Sequence, residues 1–374
     1  MRERVLITGG AGFVGSHLAD ELLKEGYRVR VLDNLDIQVH GSDQEIPDYL
    51  DKEVDFIKGD IRNSDVVKNA IRDIDYIFHE ASSVGVGQSM YKIRHYIDTN
   101  DTGTATLLDA LLNFKNSVKK LIMASSMSIY GEGAYVCDNC GPVYPYERDE
   151  VDLKDRIWEH KCPSCNTIVR PVPTDETKPL HPTSIYAQSK KQQEDMSLLI
   201  GKTYKLPTVA LRYFNIYGPR QALSNPYTGV AAIFSSCILN NNRPIVFEDG
   251  MQGRDFIHVK DIVRANLLAL KNSKADYQIF NVGSERPISI LEIAKVLIKN
   301  LKKDLEPNIL HKYRIGDIRY CYSDCSKIKD ALGFVASVRF EDGIMDLVNW
   351  VRHEKADDLT EVAYRKLMSK GLYK

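Results

Sequence analysis

TGGAGFVG, residues 8–15, decides the fold of this chain. It follows a β-rich run, Arg4–Thr8, and opens a segment of helical spacing, Phe13–Gly26, whose Val14, Leu18, Leu22 and Leu23 share one face. Gly9, Gly12 and Gly15 stand three apart. The first permits a tight turn, the second lets backbone approach a pyrophosphate, and the third lets helix and strand pack closely. An anion then sits at the helix N-terminus, where free N–H groups and the dipole favour it. Asp33 ends the next β run (Arg28–Leu32), 18 residues beyond Gly15. A carboxylate there accepts hydrogen bonds from a ribose hydroxyl and repels a 2′-phosphate, which favours NAD over NADP.

The alternation continues outward from this turn. β runs at Val54–Ile57, Tyr76–His79 and Lys120–Ser125 alternate with helical patterns at Val66–Ile71 and Ile97–Leu112. This implies parallel βαβ units and a doubly wound α/β sheet. Residues 132–182 break the rhythm with prolines and two Cys-x-x-Cys pairs, and read as an insertion. A helix from about Ser184 to Tyr204 and a strand at Thr208–Tyr213 resume it. Residues 219–374 are expected to form mainly a smaller α/β substrate domain, with helices such as Ile288–Leu301 and some segments returning to the first domain. The expected domains are therefore 1–131 with 183–218, then 132–182, then 219–374.

Composition excludes other classes. The 374 residues carry 50 Lys and Arg against 51 Asp and Glu, a net charge of −1, so bulk positive charge cannot drive nucleic-acid binding. Apolar residues are 43% and charged residues 27%, the balance of a globular protein. No apolar run nears the roughly 18 residues of a membrane span. The first residues run straight into a strand with no recognisable leader, so the cytoplasm is the expected compartment.

Three residues form a proton-transfer set. Tyr186 and Lys190 are four apart on a helix and share a face. Ser126 stands at the carboxyl end of a strand, where doubly wound sheets bind ligands. A tyrosine's ordinary pKa is about 10; a neighbouring ammonium and an oxidised nicotinamide favour the phenolate. Ser126 can hydrogen-bond the same substrate oxygen.

The chain resembles the extended short-chain dehydrogenase/reductases of the sugar-nucleotide epimerase/dehydratase branch, a Rossmann-type family. The resemblance spans TGGAGFVG (8–15), Asp33-Asn34, GD (59–60), HEAS (79–82), SSMSIYG (125–131), YAQSK (186–190), RYFNIYGPRQ (212–221), GRDFIHVKD (253–261) and NVGS (281–284). It implies that Ser126, Tyr186 and Lys190 are catalytic. It implies NAD contacts from Gly9, Gly12, Phe13, Val14, Gly15, Asp33, Asn34, Asp60, Ile61, Ala81, Asn100, Tyr186, Lys190 and Phe214. It implies substrate contacts from Ser126, Asn215, Arg254 and Arg314, the arginines suiting a nucleotide diphosphate.

Departures narrow the chemistry. Dehydratases of the branch carry Asp-Glu after the Ser/Thr, decarboxylases a Glu at the second position, and 3,5-epimerases a Cys at the first; here Met127 and Ser128 stand there. Hydride chemistry alone remains, and the resemblance implies NAD-dependent 4-epimerisation of a nucleotide sugar. VGVGQSMY (84–91) and RQALSNPYTGV (220–230) look like epimerases of dTDP-L-rhamnose, so that sugar or a related deoxysugar is expected, with Met90 and Tyr130 as candidates for an apolar wall. A nucleotide-sugar dehydrogenase or reductase, or a UDP-hexose 4-epimerase, is the alternative. A homodimer packed through helices 97–112 and 184–204 is common in the family.

Cys137/Cys140 and Cys162/Cys165 offer four soft ligands across 21 residues. Two such knuckles suit structural Zn²⁺ in a closed tetrahedral site, a zinc ribbon; iron, redox disulfides or unligated thiols stay open. The ribbon's place between Ser126 and Tyr186 suggests a lid or wall over the site. Cys237, Cys321 and Cys325 read as small buried apolar residues.

Overall fold

The computed structural model describes residues 2–374. Seven strands form one parallel sheet: β1 (Arg4–Thr8), β2 (Arg28–Asp33), β3 (Asp55–Lys58), β4 (Tyr76–His79), β5 (Lys120–Ser126), β6 (Thr208–Tyr213) and β7 (Ile279–Val282). Their spatial order is β3-β2-β1-β4-β5-β6-β7. The direction of winding reverses between β1 and β4, and a doubly wound sheet opens a crevice at that switch point. Central strands must be apolar on both faces, since helices cover both. β5 is accordingly buried at all seven positions.

The helix Phe13–Lys24 buries Leu18, Ala19 and Leu22 against β1 and β2. The helix Ile185–Tyr204 starts at Ser184, whose hydroxyl accepts the Ala187 N–H at 3.1 Å. It stops at Lys205, in the left-handed region at φ +58°. The helix expected over 97–112 is longer and irregular. It begins at Ile93, widens into a π turn over Ile97–Thr102 and continues as an α-helix over Gly103–Asn113. Such turns recur at functional sites, and this one carries Asn100.

The insertion has little apolar substance. Ala134–Cys137 pairs antiparallel with Gly141–Val143 and with Arg170–Val172. Tyr135, Cys137, Val143, Cys162 and Val169 make its core. A short helix, Glu150–Lys154, is capped by Asp149. The C-terminal part has a second small sheet of Asn215–Tyr217, Gly253–His258, Pro287–Ser289 and Tyr320–Cys321. Ile290–Asn300 and Phe340–Val351 pack on it through Leu297, Ile344 and Leu347. β7 is the segment of this part that returns to the large sheet, pairing with β6 (Phe280 beside Leu211). Cys237, Cys321 and Cys325 are buried, and burial pushes their thiols up to about 12. No described helix is long and apolar enough to cross a membrane.

Candidate active site

A cavity of about 650 Å³ opens at the carboxyl ends of β1, β2, β4, β5 and β6. Gly9, Gly12, Phe13, Val14, Gly15, Asp33, Asn34, Asp60, Ile61, Ala81 and Phe214 line one part of it. Ser126, Tyr186 and Lys190 line the middle, and Asn215, Arg254 and Arg314 the rest. The candidate residues thus converge from chain segments far apart.

At the cofactor end the glycine turn is tightly made. Gly9 has φ +70°, and its missing Cβ would stand 2.8 Å from Ala81 Cα. Asp33 braces the same turn: one carboxylate oxygen accepts Ala11 N–H at 3.0 Å and the other Leu35 N–H at 2.9 Å. Burial raises its pKa, and those N–H donors and His40 oppose the rise. Asp60 is held low, to about 2, mainly by hydrogen bonds from Arg62 (2.6 and 2.8 Å). Asn34 donates to the same carboxylate at 3.3 Å. Asn100 is the exception among the expected contacts. It is fully buried behind the cavity wall, holding Ser83 N–H at 2.7 Å and donating to Ser189 Oγ at 2.9 Å. It therefore ties the loop after β4 to the helix that carries Tyr186.

At the centre, Tyr186 and Lys190 are buried one turn apart. Lys190 Nζ donates to Ala124 O at 2.7 Å, which fixes it under β5. Burial brings its pKa down to about 8, against the pull of Glu80 and Glu194. Burial raises the Tyr186 phenol, while the Ser126 hydroxyl beside it favours the phenolate. Two groups here were not expected from sequence to act in the site. Ser128 gives both its N–H (3.2 Å) and its O–H (2.9 Å) to Ser126 Oγ. With two donors on its oxygen, the Ser126 hydroxyl has its own proton left to give to another acceptor. Glu80 follows the last residue of β4, within HEAS, and lines the cavity. It accepts Tyr213 O–H at 3.0 Å, and burial lifts it to about 7. Its place at a strand's carboxyl end was the available signal.

At the far end two arginines share one carboxylate. Arg254 donates to Asp317 Oδ1 at 3.2 Å and Arg314 does so at 3.0 Å. Burial would raise Asp317, but Arg314 and Arg254 hold it below the carboxylate range. Two cations against one anion leave net positive charge in a wall of the cavity. Arg314 Nε and Asn215 Oδ1 are buried polar atoms with no partner among the described residues. Buried polar groups are normally paired, so both are suited to a ligand.

Met90 and Tyr130 do not line the cavity. Met90 lies partly exposed outside it, and Tyr130 is buried with its hydroxyl on Asn281 and Arg212. No residue of 132–182 lines it either, so the insertion stands behind the wall rather than over the site. Its four cysteine sulfurs converge all the same: those of Cys137, Cys140, Cys162 and Cys165 lie within 4.8 Å of one another. None is in a disulfide.

A parallel sheet with a glycine-cradled switch point and a buried Ser–Tyr–Lys set defines a dinucleotide-dependent enzyme of the short-chain dehydrogenase/reductase type. More narrowly, the chain belongs to the NAD dependent epimerase/dehydratase family, whose model matches residues 5–151 and 164–283. The unmatched 152–163 falls inside the insertion. A dTDP-L-rhamnose 4-epimerase of Burkholderia thailandensis is 30% identical over 354 residues, 94% of this chain and 96% of that protein. A UDP-N-acetyl-alpha-D-glucosaminuronate decarboxylase of Bacillus cytotoxicus is 32% identical, covering 96% of this chain and all (100%) of its own length. Among solved structures, UDP-glucuronic acid 4-epimerase of Bacillus cereus, in complex with UDP-glucuronic acid and NAD, aligns with TM-score 0.76 and 27% identity. That match covers 93% of this chain and 99% of the other.

Proposed function

We propose that the protein is an NAD-dependent 4-epimerase of a nucleotide sugar. One observation carries this: Ser126, Tyr186 and Lys190 are buried together at the cavity, and Met127 and Ser128 follow Ser126 where eliminating and decarboxylating relatives need an acid. The glycine cradle fits a dinucleotide, because added Cβ atoms would close it. Bound there, NAD supplies a reversible hydride acceptor. Tyr186, as phenolate, takes the proton of the C4 hydroxyl as its hydrogen leaves as hydride. Lys190 holds the phenolate by its charge. Ser126 donates to the C4 oxygen. The 4-keto sugar presents its other face, the hydride returns to C4 on that face, and Tyr186 gives the proton back to the C4 oxygen, which yields the opposite epimer. Arg254 and Arg314, with Asn215, hold the diphosphate and keep the nucleotide in place while the sugar turns.

The substrate is proposed to be dTDP-L-rhamnose or a related deoxysugar. The segments 84–91 and 220–230 and the relative from Burkholderia thailandensis support this. The decarboxylase and glucuronate-epimerase relatives make uronic-acid sugars the second choice. A panel of dTDP-, UDP-, GDP- and CDP-sugars, followed by NMR without added cofactor, tests it. Conversion of one sugar to its C4 epimer at constant NADH absorbance supports the reading. Net NAD(P)H change without epimerisation replaces it with a dehydrogenase or reductase.

The proposal extends to a structural Zn²⁺ on the four cysteines, since four converging thiolates close a tetrahedral site. It also extends to a cytoplasmic homodimer. The helices 103–113 and 185–204 pack side by side, and Leu199 and Tyr204 on the second are 65% and 59% exposed. Sedimentation of Leu199→Asp as a monomer, with wild type a dimer, tests the interface.

A further inference from the structure

No residue of the insertion lines the cavity, and one of its routes to the site runs through segment 314–321. That segment is held on one side by the insertion and on the other by the arginine clamp. Gly133 N–H donates to Tyr320 O at 2.8 Å, and Thr174 N–H to Tyr322 O at 2.8 Å. Glu132 accepts the N–H groups of Arg319 and Tyr320, and His160 pairs with it at 2.9 Å. Arg148 reaches from the insertion into the main body. It forks onto Glu248 at 2.7 and 2.9 Å and donates to Asp317 O at 3.1 Å. Arg319 is fully buried and bridges Glu159 of the insertion (2.6 Å) to Glu248 (3.0 Å) and Asp249 (2.7 Å).

The other face of the segment sets Arg254 and Arg314. Arg254 donates to Ile318 O at 2.6 Å and to Arg319 O at 3.1 Å, besides its bond to Asp317. Arg314 is fixed by Asp317. Residues 317–319 thus take their position from Arg148, Glu159 and Glu132, and hand it to both arginines. Burying so many charges costs desolvation that Coulomb attraction barely repays, so the network is a poor device for stability. It is a good device for geometry, because Arg148 and Arg319 each hold more than one segment at once.

We propose that the insertion positions the diphosphate clamp: Arg148 and Glu159 hold segment 317–319, and through it they set Arg254 and Arg314 for the nucleotide diphosphate. Arg148 and Glu159 are positioning residues, since neither lines the cavity. The inference rests on the reading of Arg254 and Arg314 as diphosphate contacts.

The test titrates UDP and dTDP calorimetrically into the full-length enzyme and into Arg148→Met, Glu159→Gln and Arg254→Ala. NAD content and epimerase kinetics are measured alongside. Glu159 is partly exposed, so its isosteric variant keeps the fold if Arg148→Met does not. The expected result is a nucleotide Kd and a substrate KM raised about tenfold in Arg148→Met and Glu159→Gln, with kcat within about twofold and NAD content unchanged. Wild-type nucleotide affinity in both, beside a loss in Arg254→Ala, overturns the positioning role alone. Wild-type affinity in Arg254→Ala overturns the clamp and the positioning role together. A fall in kcat and NAD content in step with nucleotide affinity also overturns it, because a general loss of fold would then explain the effect.

Discussion

Gly15→Ala tests the cofactor cradle at its narrowest point. A Cβ at residue 15 would lie 2.5 Å from Gly9 O and 2.6 Å from Gly10 Cα. Both are backbone atoms of the turn itself, so no rotamer change relieves the overlap. Forcing such a group into a packed site costs about 1–3 kcal/mol. The strain is relieved only by spreading the turn, which moves the N–H groups that face the pyrophosphate. NAD affinity should therefore fall about 5- to 150-fold, at about 1.4 kcal/mol per decade. The control is Gly26→Ala, at φ +87° with nothing within 4 Å of its Cβ. Its cost, about 1–2 kcal/mol, is conformational and falls on folding alone. The assay is NAD content after purification and NAD affinity by calorimetry, with Tm for both variants. Wild-type NAD affinity in Gly15→Ala refutes the reasoning. So does an equal loss of affinity in Gly26→Ala, because the effect would then be global instability.

Tyr186→Phe should lower kcat about 10²- to 10⁴-fold with NAD retained, as removal of a general acid–base group does; residual activity within tenfold of wild type assigns the proton to another group. Ser128→Ala removes one of the two donors to Ser126 Oγ, leaving the backbone N–H, and should lower kcat modestly without changing NAD content; a KM effect alone contradicts the orientation argued for Ser126. Burial lifts Glu80 to about 7, with Tyr213 and Lys190 opposing. A raised folded pKa means that its stabilisation is full below the unfolded value near 4.5 and is lost as pH rises through about 7. Glu80→Gln should thus raise Tm most near pH 8 and flatten its fall between about pH 5 and pH 8, while an unchanged slope counts against a buried neutral acid. Metal analysis should find zinc stoichiometric with chains, and Cys162→Ser should lose it with a lower Tm; four thiols freely titrated in the native, metal-free protein exclude the site.

Much of this protein is written in local pattern. The strand–glycine–helix unit around TGGAGFVG can be read from sequence because turn, helix and strand chemistry are all local, and the structure forms them at the expected residues. The Ser126–Tyr186–Lys190 set was legible for a similar reason. A helix period brings Tyr186 and Lys190 together, and the strand-end rule puts Ser126 near them. The four cysteines converge as their spacing suggests, since each Cys-x-x-Cys is a local knuckle. Other features depend on contacts between distant segments. Sequence could not show that β7 crosses back beside β6, because a four-residue strand, Ile279–Val282, carries no address. It offered Asn100 as a cofactor contact but could not show that packing of the π turn ties it to Ser83 and Ser189. It suggested a lid or wall over the site, whereas no residue of 132–182 lines the cavity. Single arginines and glutamates look like surface charge in a linear chain. Only folding shows that the side chains of Arg148, Glu248 and Arg319 are buried against one another, with Glu159 at their edge, because an ion pair is decided by which distant backbones meet and not by spacing along either one.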